Sequence, residues 1–405
     1  MSKAEELSAA SGLTSALVSR SLARLLGLAF VVVLARAVEP SVFAGYSYLL
    51  VLAAAIGLVT ESGIALVAGR EVAQGRHGIA AVHRAGAVVV AGTAALAALL
   101  VLAAGAVDAG PGTAGWPLAW TAAFIAVNTW GNFQSELLRA GGMPWVEAGL
   151  QMLGAVLLVA TGIAVLALGL GLAALMFTLV LKQLVVVVLA QRRLPWPWHG
   201  APDPRLSRRM LTTGLWLGAA TACLGLVLRA AYLALGNAGS DQDVAEFAIA
   251  SRVLEVTVMV SQTAGFGLLP AMAQRAVDGT RPAYRTALAA AIAISAVLSA
   301  ALIPAVPHVL PALFGERYDG AVPAAQVILA FTPAIVALHL AWYALVASRG
   351  ERTVLAAAVS ALLVALAGSF AVRADPDPVT TALATCVPLT VAALVVSVRV
   401  WWRRT

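Results

Sequence analysis

SALVSRSLARLLGLAFVVVLARAVEPSVFAGYSYLLVLAAAIGLVTESGIALVAGREVAQGR, from Ser15 to Arg76, is dominated by two apolar segments, roughly 12–35 and 43–69. A helix needs about 20 predominantly apolar residues to cross the hydrocarbon core of a bilayer, and each segment is long enough. A short turn containing Pro40 separates them, so they are predicted to form an antiparallel pair of membrane helices. This hairpin decides the fold class, an all-α polytopic membrane protein.

Both helices of this predicted hairpin carry charge. The first holds Arg20 and Arg24, and the second holds Glu61. A charge near the bilayer centre costs about 2.5 to 3.5 kcal/mol on insertion scales, so such side chains usually face a bundle interior or a wet cavity. Arg20 and Arg24 are four residues apart and share a helix face. At a rise of ~1.5 Å per residue, Arg20 and Glu61 lie at similar depths, and the hairpin is predicted to line a cavity.

Composition excludes a soluble enzyme. Hydrophobic residues form 61% of the chain, charged residues form 11%, and the mean hydropathy is +0.92. The net charge of +7 is spread over short clusters between apolar runs, which indicates membrane topology and excludes a nucleic-acid-binding face. Cys223 and Cys386 fall inside predicted spans without metal-ligand spacing, so neither a metal site nor another cofactor is predicted. No P-loop, HExxH or GxSxG motif occurs, so no catalytic residue is predicted.

Hydropathy predicts twelve membrane spans along the chain. The ninth is over-long and contains Pro304, Pro307 and Pro311, so it is predicted to kink or end early. The spans are roughly 12–35, 43–69, 84–107, 116–138, 145–168, 171–191, 210–235, 246–272, 284–314, 323–348, 353–372 and 379–400.

The distribution of basic residues predicts the orientation. Of the 26 basic residues, eighteen fall on one side of the predicted spans, three fall on the other side and five lie within spans. The acidic residues outside the spans show the opposite bias. Short cytoplasmic loops are rich in Lys and Arg, so both termini are predicted to be cytoplasmic.

The chain divides near its middle. A polar connector, QRRLPWPWHGAPDPRLSRR, lies between spans six and seven. A weak repeat aligns LLRAGGMPW after span four with LVASRGERT after span ten. Internal repeats of this kind occur in secondary transporters. We therefore predict two pseudo-symmetric six-helix lobes, residues 1–194 and 210–405, joined by a cytoplasmic linker at 195–209.

A second charged constellation lies in the second half. Arg252, Glu255 and Gln262 fall within about 80° on the helical wheel of span eight, and Arg229 in span seven lies at a similar depth. Arginine binds phosphate bidentately, so these residues suit an anionic lipid headgroup such as a diphosphate. The alternative is a set of internal ion pairs, Arg24 with Glu61 or Arg229 with Glu255, that only hold helices together.

Three further polar residues lie at mid-membrane depth in helices related by the repeat. They are Asn128 and Asn132 in span four and His339 in span ten. Such residues most often form hydrogen bonds between neighbouring helices. They are therefore secondary candidates for a ligand or proton-relay site, and Gln262 of span eight is a further secondary candidate for the cavity.

Several sequence motifs resemble the polysaccharide flippases, of the O-antigen or teichoic-acid type, in the multidrug/oligosaccharidyl-lipid/polysaccharide exporter superfamily. LARAVEPSVFAGYSYLLVLAAAIGLVTESGIALVAGREVA is similar to their first hairpin, including the acidic-x-Gly step at Glu61 and Gly63. GFGLLPAMAQ and LFGERYDGAVPAAQVIL are similar to parts of their second half. The chain departs from the family pattern in AVEP, where Leu-Gly-Pro is more common, and in Glu61, where Asp is common.

The resemblance implies a flippase in the bacterial cytoplasmic membrane. It would move an isoprenoid-diphosphate-linked sugar outward by alternating access between two lobes, with spans one, two, seven and eight lining the cavity. Its partners would be that lipid-linked sugar, membrane lipids and other polysaccharide-assembly proteins. Na⁺ and H⁺ both remain open as coupling ions. The alternatives are a drug or cation antiporter of the same superfamily and a non-transporting scaffold in an envelope complex.

Overall fold

The computed structural model describes residues 19, 22–107, 110–111, 114–258, 282–347 and 351–402. Side chains are excepted at 59–62, 216–217, 220–221, 282–287, 341–347, 351–354 and 397–402. Two predicted site residues, Arg20 and Gln262, therefore lie outside the described residues. For Glu61 only the helix that carries it is described.

The described chain is α-helical, and its helices lie at the predicted spans, of which spans one and eight are described only over 22–37 and 241–258. Span nine is represented by two helices, α9 and α10. Eight segments are long and apolar enough to cross a membrane, counted over the described residues alone. The helices are α1 (22–37), α2 (Pro40–Ala73), α3 (Ile79–Val107), α4 (Trp116–Ala140), α5 (Pro144–Ala167), α6 (Leu172–Gln191), α7 (Pro204–Ala238), α8 (241–258), α9 (Pro282–Leu302), α10 (Val306–Phe314), α11 (Ala321–Ala347), α12 (Glu351–Ala374) and α13 (Pro378–Trp402).

Proline and glycine set many helix boundaries. Helices α2, α4 and α5 each have a proline in their first turn, where the missing N–H leaves no backbone partner unsatisfied. Gly142 follows α4 with φ of 80°, and Gly169 follows α5 with φ of 65°. Residues with a Cβ rarely adopt this left-handed conformation. Gly169 thereby separates spans five and six, which are divided by little polar sequence.

The ninth predicted span is broken, as its prolines indicate. Helix α9 ends at Leu302, a 3₁₀ turn covers Ile303–Ala305, and α10 begins at Val306. Pro304 lies in this turn. A proline has no N–H to donate to the preceding turn and its ring clashes there, so a helix kinks or breaks at this residue.

The chain forms two compact units, Met1–Ala222 and Cys223–Thr405. The division falls inside α7, beyond the end of the predicted linker. The predicted boundaries at 194 and 210 therefore stay a prediction.

In the first unit α4 is central and packs against α2, α3 and α6, while α5 packs mainly against α6. A buried cluster including Ile64, Phe133 and Met210 joins α2, α3, α4 and the start of α7. Near the other end, Phe30 of α1 lies over Gly162 of α5.

In the second unit α11 has the same central place. It packs against α9 and α13, and α12 packs mainly against α13. The hydroxyls of Thr257 in α8 and Thr332 in α11 lie 3.4 Å apart. In both units the fourth span is central and contacts the second, third and sixth spans. These contacts are those of α4 with α2, α3 and α6 in the first unit and of α11 with α8, α9 and α13 in the second. A repeat of six helices predicts this packing.

Candidate functional site

A cluster of two arginines and one carboxylate lies in the second unit. Arg252 of α8 donates from Nη1 to Oε2 of Glu255, one turn further along the helix, at 2.7 Å. The Arg252 side chain is only 14% exposed, whereas that of Glu255 is 60% exposed. The carboxylate therefore neutralises a largely buried guanidinium from its open side.

Arg229 of α7 completes this cluster. Its Nη1 donates to the Gly225 carbonyl oxygen at 2.8 Å, and its side chain interacts electrostatically with Glu255. A guanidinium has five N–H donors, so this backbone bond leaves Arg229 further donor capacity. The structure thus brings together three predicted site residues, Arg229, Arg252 and Glu255.

The charge of this cluster favours an anion. Two guanidinium groups and one carboxylate leave one net positive charge. The two arginines come from different helices, and the carboxylate that accepts from Arg252 is exposed, so an incoming phosphate can take the place of that acid. The predicted ion pair of Arg229 with Glu255 is only part of the arrangement, because the direct hydrogen bond to Glu255 comes from Arg252.

The predicted site residues of the first half are only partly covered by the described residues. Arg24 lies on α1 and is exposed. Glu61 lies within α2, and its predicted pairing with Arg24 stays a prediction. Gly63, two residues further along, is buried against α7.

Gly63 marks a close approach of two backbones. A Cβ added to Gly63 would overlap the carbonyl oxygen of Gly214 in α7. One added to Gly214 would lie 3.1 Å from the backbone nitrogen of Ile64. Small residues allow membrane helices to approach in this way. The acidic-x-Gly step therefore places the α2 backbone directly against α7.

The secondary candidates lie on the two central helices. Asn128 and Asn132 are half-buried on α4. His339 on α11 is buried, and its Nδ1–H donates to the Ile335 carbonyl oxygen at 2.8 Å. A bond to its own helix is what a structural histidine makes, and a ligand role for these three residues stays a prediction.

An unpredicted ionic network surrounds Glu71 in the last turn of α2. Its side chain is only 2% exposed. Oε1 lies 3.1 Å from Nη2 of Arg209 and 3.9 Å from Nη1 of Arg76, and Oε2 accepts a hydrogen bond from His77 Nδ1–H at 3.0 Å. Glu71 thus joins the end of α2 to the start of α7. The only sign of this network in the sequence is that Glu71 is a single acidic residue among the basic residues that follow predicted span two.

Replacing Glu71 with glutamine is expected to lower the free energy of unfolding by about 1 to 3 kcal/mol, the cost of losing hydrogen bonds to charged groups at a buried site. The thermal melting temperature of the purified protein in detergent measures this. Glu316→Gln is the matched control, because Glu316 is exposed. Equal melting temperatures for the two variants would show that the network contributes nothing to stability.

Comparison with known proteins identifies the family. A family model described as "Polysaccharide biosynthesis protein" matches residues 33–323. That range begins in α1 and ends in α11, and it includes Arg229, Arg252 and Glu255. No curated protein matches the sequence.

Solved structures share the fold. A multidrug resistance MATE family transporter of the MOP superfamily, inward-facing, has a TM-score of 0.74 at 16% identity, with 94% of each chain covered. The lipid II flippase MurJ, inward closed, has a TM-score of 0.77 at 12% identity, with 95% of this chain and 87% of MurJ covered. A MOP superfamily transporter from Pyrococcus furiosus has a TM-score of 0.67 at 16% identity, covering 96% and 95%. The fold is that of twelve-helix MOP superfamily transporters.

Proposed function

Because the chain belongs to the polysaccharide biosynthesis protein family, we propose that it is a flippase of the bacterial cytoplasmic membrane. Its substrate is an isoprenoid-diphosphate-linked oligosaccharide, which it moves to the outer leaflet by alternating access for the assembly of cell-surface polysaccharide.

The observation that carries this proposal is the cluster of Arg229, Arg252 and Glu255. A lipid diphosphate presents several anionic oxygens that can each accept from arginine. Hydrogen bonds between ionised groups are about twice as strong as neutral ones, and the arginine fork matches the geometry of phosphate.

Glu255 gives the cluster a way to release what it binds. Its carboxylate accepts from Arg252, and on substrate binding a phosphate oxygen takes over that donor. The bond that Arg252 makes to substrate therefore replaces a bond already present. Binding changes the partner of a buried arginine without leaving its charge exposed to the apolar interior. Arg20, Arg24 and Glu61 stay predicted substrate contacts of the first half.

A second candidate function is export of a drug or another organic cation, which the shared fold with MATE transporters favours. The net positive cluster disfavours it, because a cation would be repelled by two arginines. The Pyrococcus furiosus relative is described as having a binding pocket of reverse polarity that suggests a different function. The sign of charge at the site therefore distinguishes the two candidates.

Ligand-induced stabilisation tests the substrate class. A ligand that binds the folded state raises the melting temperature as its concentration exceeds Kd. We expect an isoprenoid-diphosphate-linked sugar to raise the melting temperature of the purified protein, and a lipophilic cation such as tetraphenylphosphonium to leave it unchanged. The reverse pattern would favour the cation exporter. No shift with the lipid-linked sugar would remove the support for the flippase.

The proposed orientation places both termini and the linker in the cytoplasm. Exposed Ala201, in the linker, and exposed Asp375, between α12 and α13, suit labelling with a membrane-impermeant thiol reagent. In intact cells Asp375→Cys should be labelled, whereas Ala201→Cys should react only after permeabilisation. The native thiols form the background, with Cys386 buried and Cys223 half-buried. Strong labelling of Ala201→Cys in intact cells would reverse the orientation.

A further inference from the structure

The linker end of the first unit contains a preformed aromatic cavity of about 510 Å³. It lies between α4, α6 and the start of the linker. Its walls include Trp130, Val187, Val188, Trp196 and Trp198, and Arg192 lies at its edge. Most of this lining is apolar, and the volume falls in the range of small-molecule sites. Because Val188, Trp196 and Trp198 are about half exposed, the cavity opens on the surface of the unit.

The linker is fastened over this cavity by several bonds. Buried His83 of α3 donates from Nδ1 to the Pro195 carbonyl oxygen at 2.7 Å. Arg84 donates to the His199 carbonyl oxygen at 3.4 Å. Further along, the indole of Trp198 stacks on that of Trp130, with ring centroids 6.1 Å apart. These contacts fix the start of the linker against α3 and α4.

Two consecutive basic residues lie at the edge of the cavity, and the first of them, Arg192, lines it. Arg192 and Arg193 follow the last residue of α6, both are exposed, and neither forms an ion pair within the part of the chain that the structure describes. Two full positive charges exceed the negative charge of about half an electron at the helix C-terminus. The apolar cavity thus lies beside a net positive charge, at the level where span six reaches the membrane surface.

We propose that this cavity binds an anionic phospholipid of the leaflet that contacts the linker. One acyl chain lies along the Trp130 and Trp198 side of the cavity, and the phosphate lies on Arg192, with the charge of Arg193 next to it in the chain. Tryptophan and arginine at helix ends are typical of the headgroup level, and basic pockets on the cytoplasmic side bind anionic headgroups. The bound lipid would brace the linker against α4 and α6.

The test uses the purified full chain in detergent, with phosphatidylglycerol and phosphatidylcholine as probes. Native mass spectrometry should show phosphatidylglycerol retained after delipidating washes, and its addition should raise the melting temperature. Phosphatidylcholine should do neither. Equal retention of the two lipids would overturn the proposal, since it would show only non-specific association.

Two sets of variants locate the site. Arg192→Gln with Arg193→Gln should weaken phosphatidylglycerol retention at least about tenfold, and Val188→Trp, which fills the cavity, should have a similar effect. Arg205→Gln with Arg208→Gln removes the same charge from exposed positions outside the cavity and should retain the lipid. Because Arg192 and Arg193 are exposed, their substitution leaves the fold intact. Equal loss in both double variants would overturn the proposal.

A final arm distinguishes phospholipid from transported substrate. Farnesyl diphosphate has the isoprenoid tail and the diphosphate of the proposed transport substrate. If it displaces phosphatidylglycerol at lower concentration than added phosphatidylglycerol does, the cavity belongs to the substrate path and the phospholipid assignment is wrong. If phosphatidylglycerol is retained, the assignment stands whether or not the proposed flippase activity is found.

Discussion

Replacing Arg252 with alanine is expected to lower the rate of lipid-linked sugar transport by about 10- to 100-fold. Each hydrogen bond to a charged group contributes about 1.5 to 3 kcal/mol, which corresponds to that range of rates. The protein should still fold, because Glu255, the partner left behind, is 60% exposed and can be hydrated. Initial rates at equal amounts of reconstituted protein measure the effect.

Two controls separate the binding role from simple charge. Arg252→Lys keeps the charge but loses the planar fork, so it should restore transport only partly. Arg373→Ala removes an exposed arginine at the end of α12 and should transport normally. Arg252→Ala at the wild-type rate, with normal expression, would leave the cluster as a structural ion pair alone.

Replacing Gly63 with alanine is expected to lower the free energy of unfolding by about 1 to 3 kcal/mol or more. The new methyl group would overlap the backbone oxygen of Gly214, and a backbone atom cannot move aside as the end of a side chain can. Helices α2 and α7 must then separate locally, which also disturbs Ile64 and the buried cluster around it. Thermal melting in detergent and the yield of monodisperse protein measure the loss.

The matched control is Gly92→Ala in α3. Gly92 is also helical, but a Cβ there would meet nothing within 4 Å. Alanine has the higher helix propensity, so this variant should melt at or slightly above the wild-type temperature. If Gly63→Ala melts at the same temperature as Gly92→Ala, the close approach of α2 and α7 does not contribute to stability.

Hydropathy and proline placement were sufficient to predict the helices. The positions of the described spans and the break at Pro304 depend on residues close in sequence, and a bilayer forces apolar segments of this length to be helical.

The partners of charged residues could not be predicted in this way. Glu71 was missed because it follows a predicted span. Arg76 and His77 are close to it in sequence, but its partner Arg209 reaches it only when α7 packs beside α2. Gly63 was noticed as part of a motif, but its contact Gly214 lies in a distant helix. The bond between Arg252 and Glu255 follows from their spacing, whereas the position of Arg229 beside them depends on tertiary packing.

Leaflet-resolved transport in proteoliposomes tests the central claim most directly. A fluorescent isoprenoid-diphosphate-linked oligosaccharide is placed in one leaflet, and its sugar is made accessible to an enzyme or quencher only in the other. The account predicts movement that depends on wild-type protein and is abolished in the Arg229→Ala, Arg252→Ala double variant. Movement no faster than in protein-free liposomes, together with efflux of an organic cation by the same preparation, would contradict it.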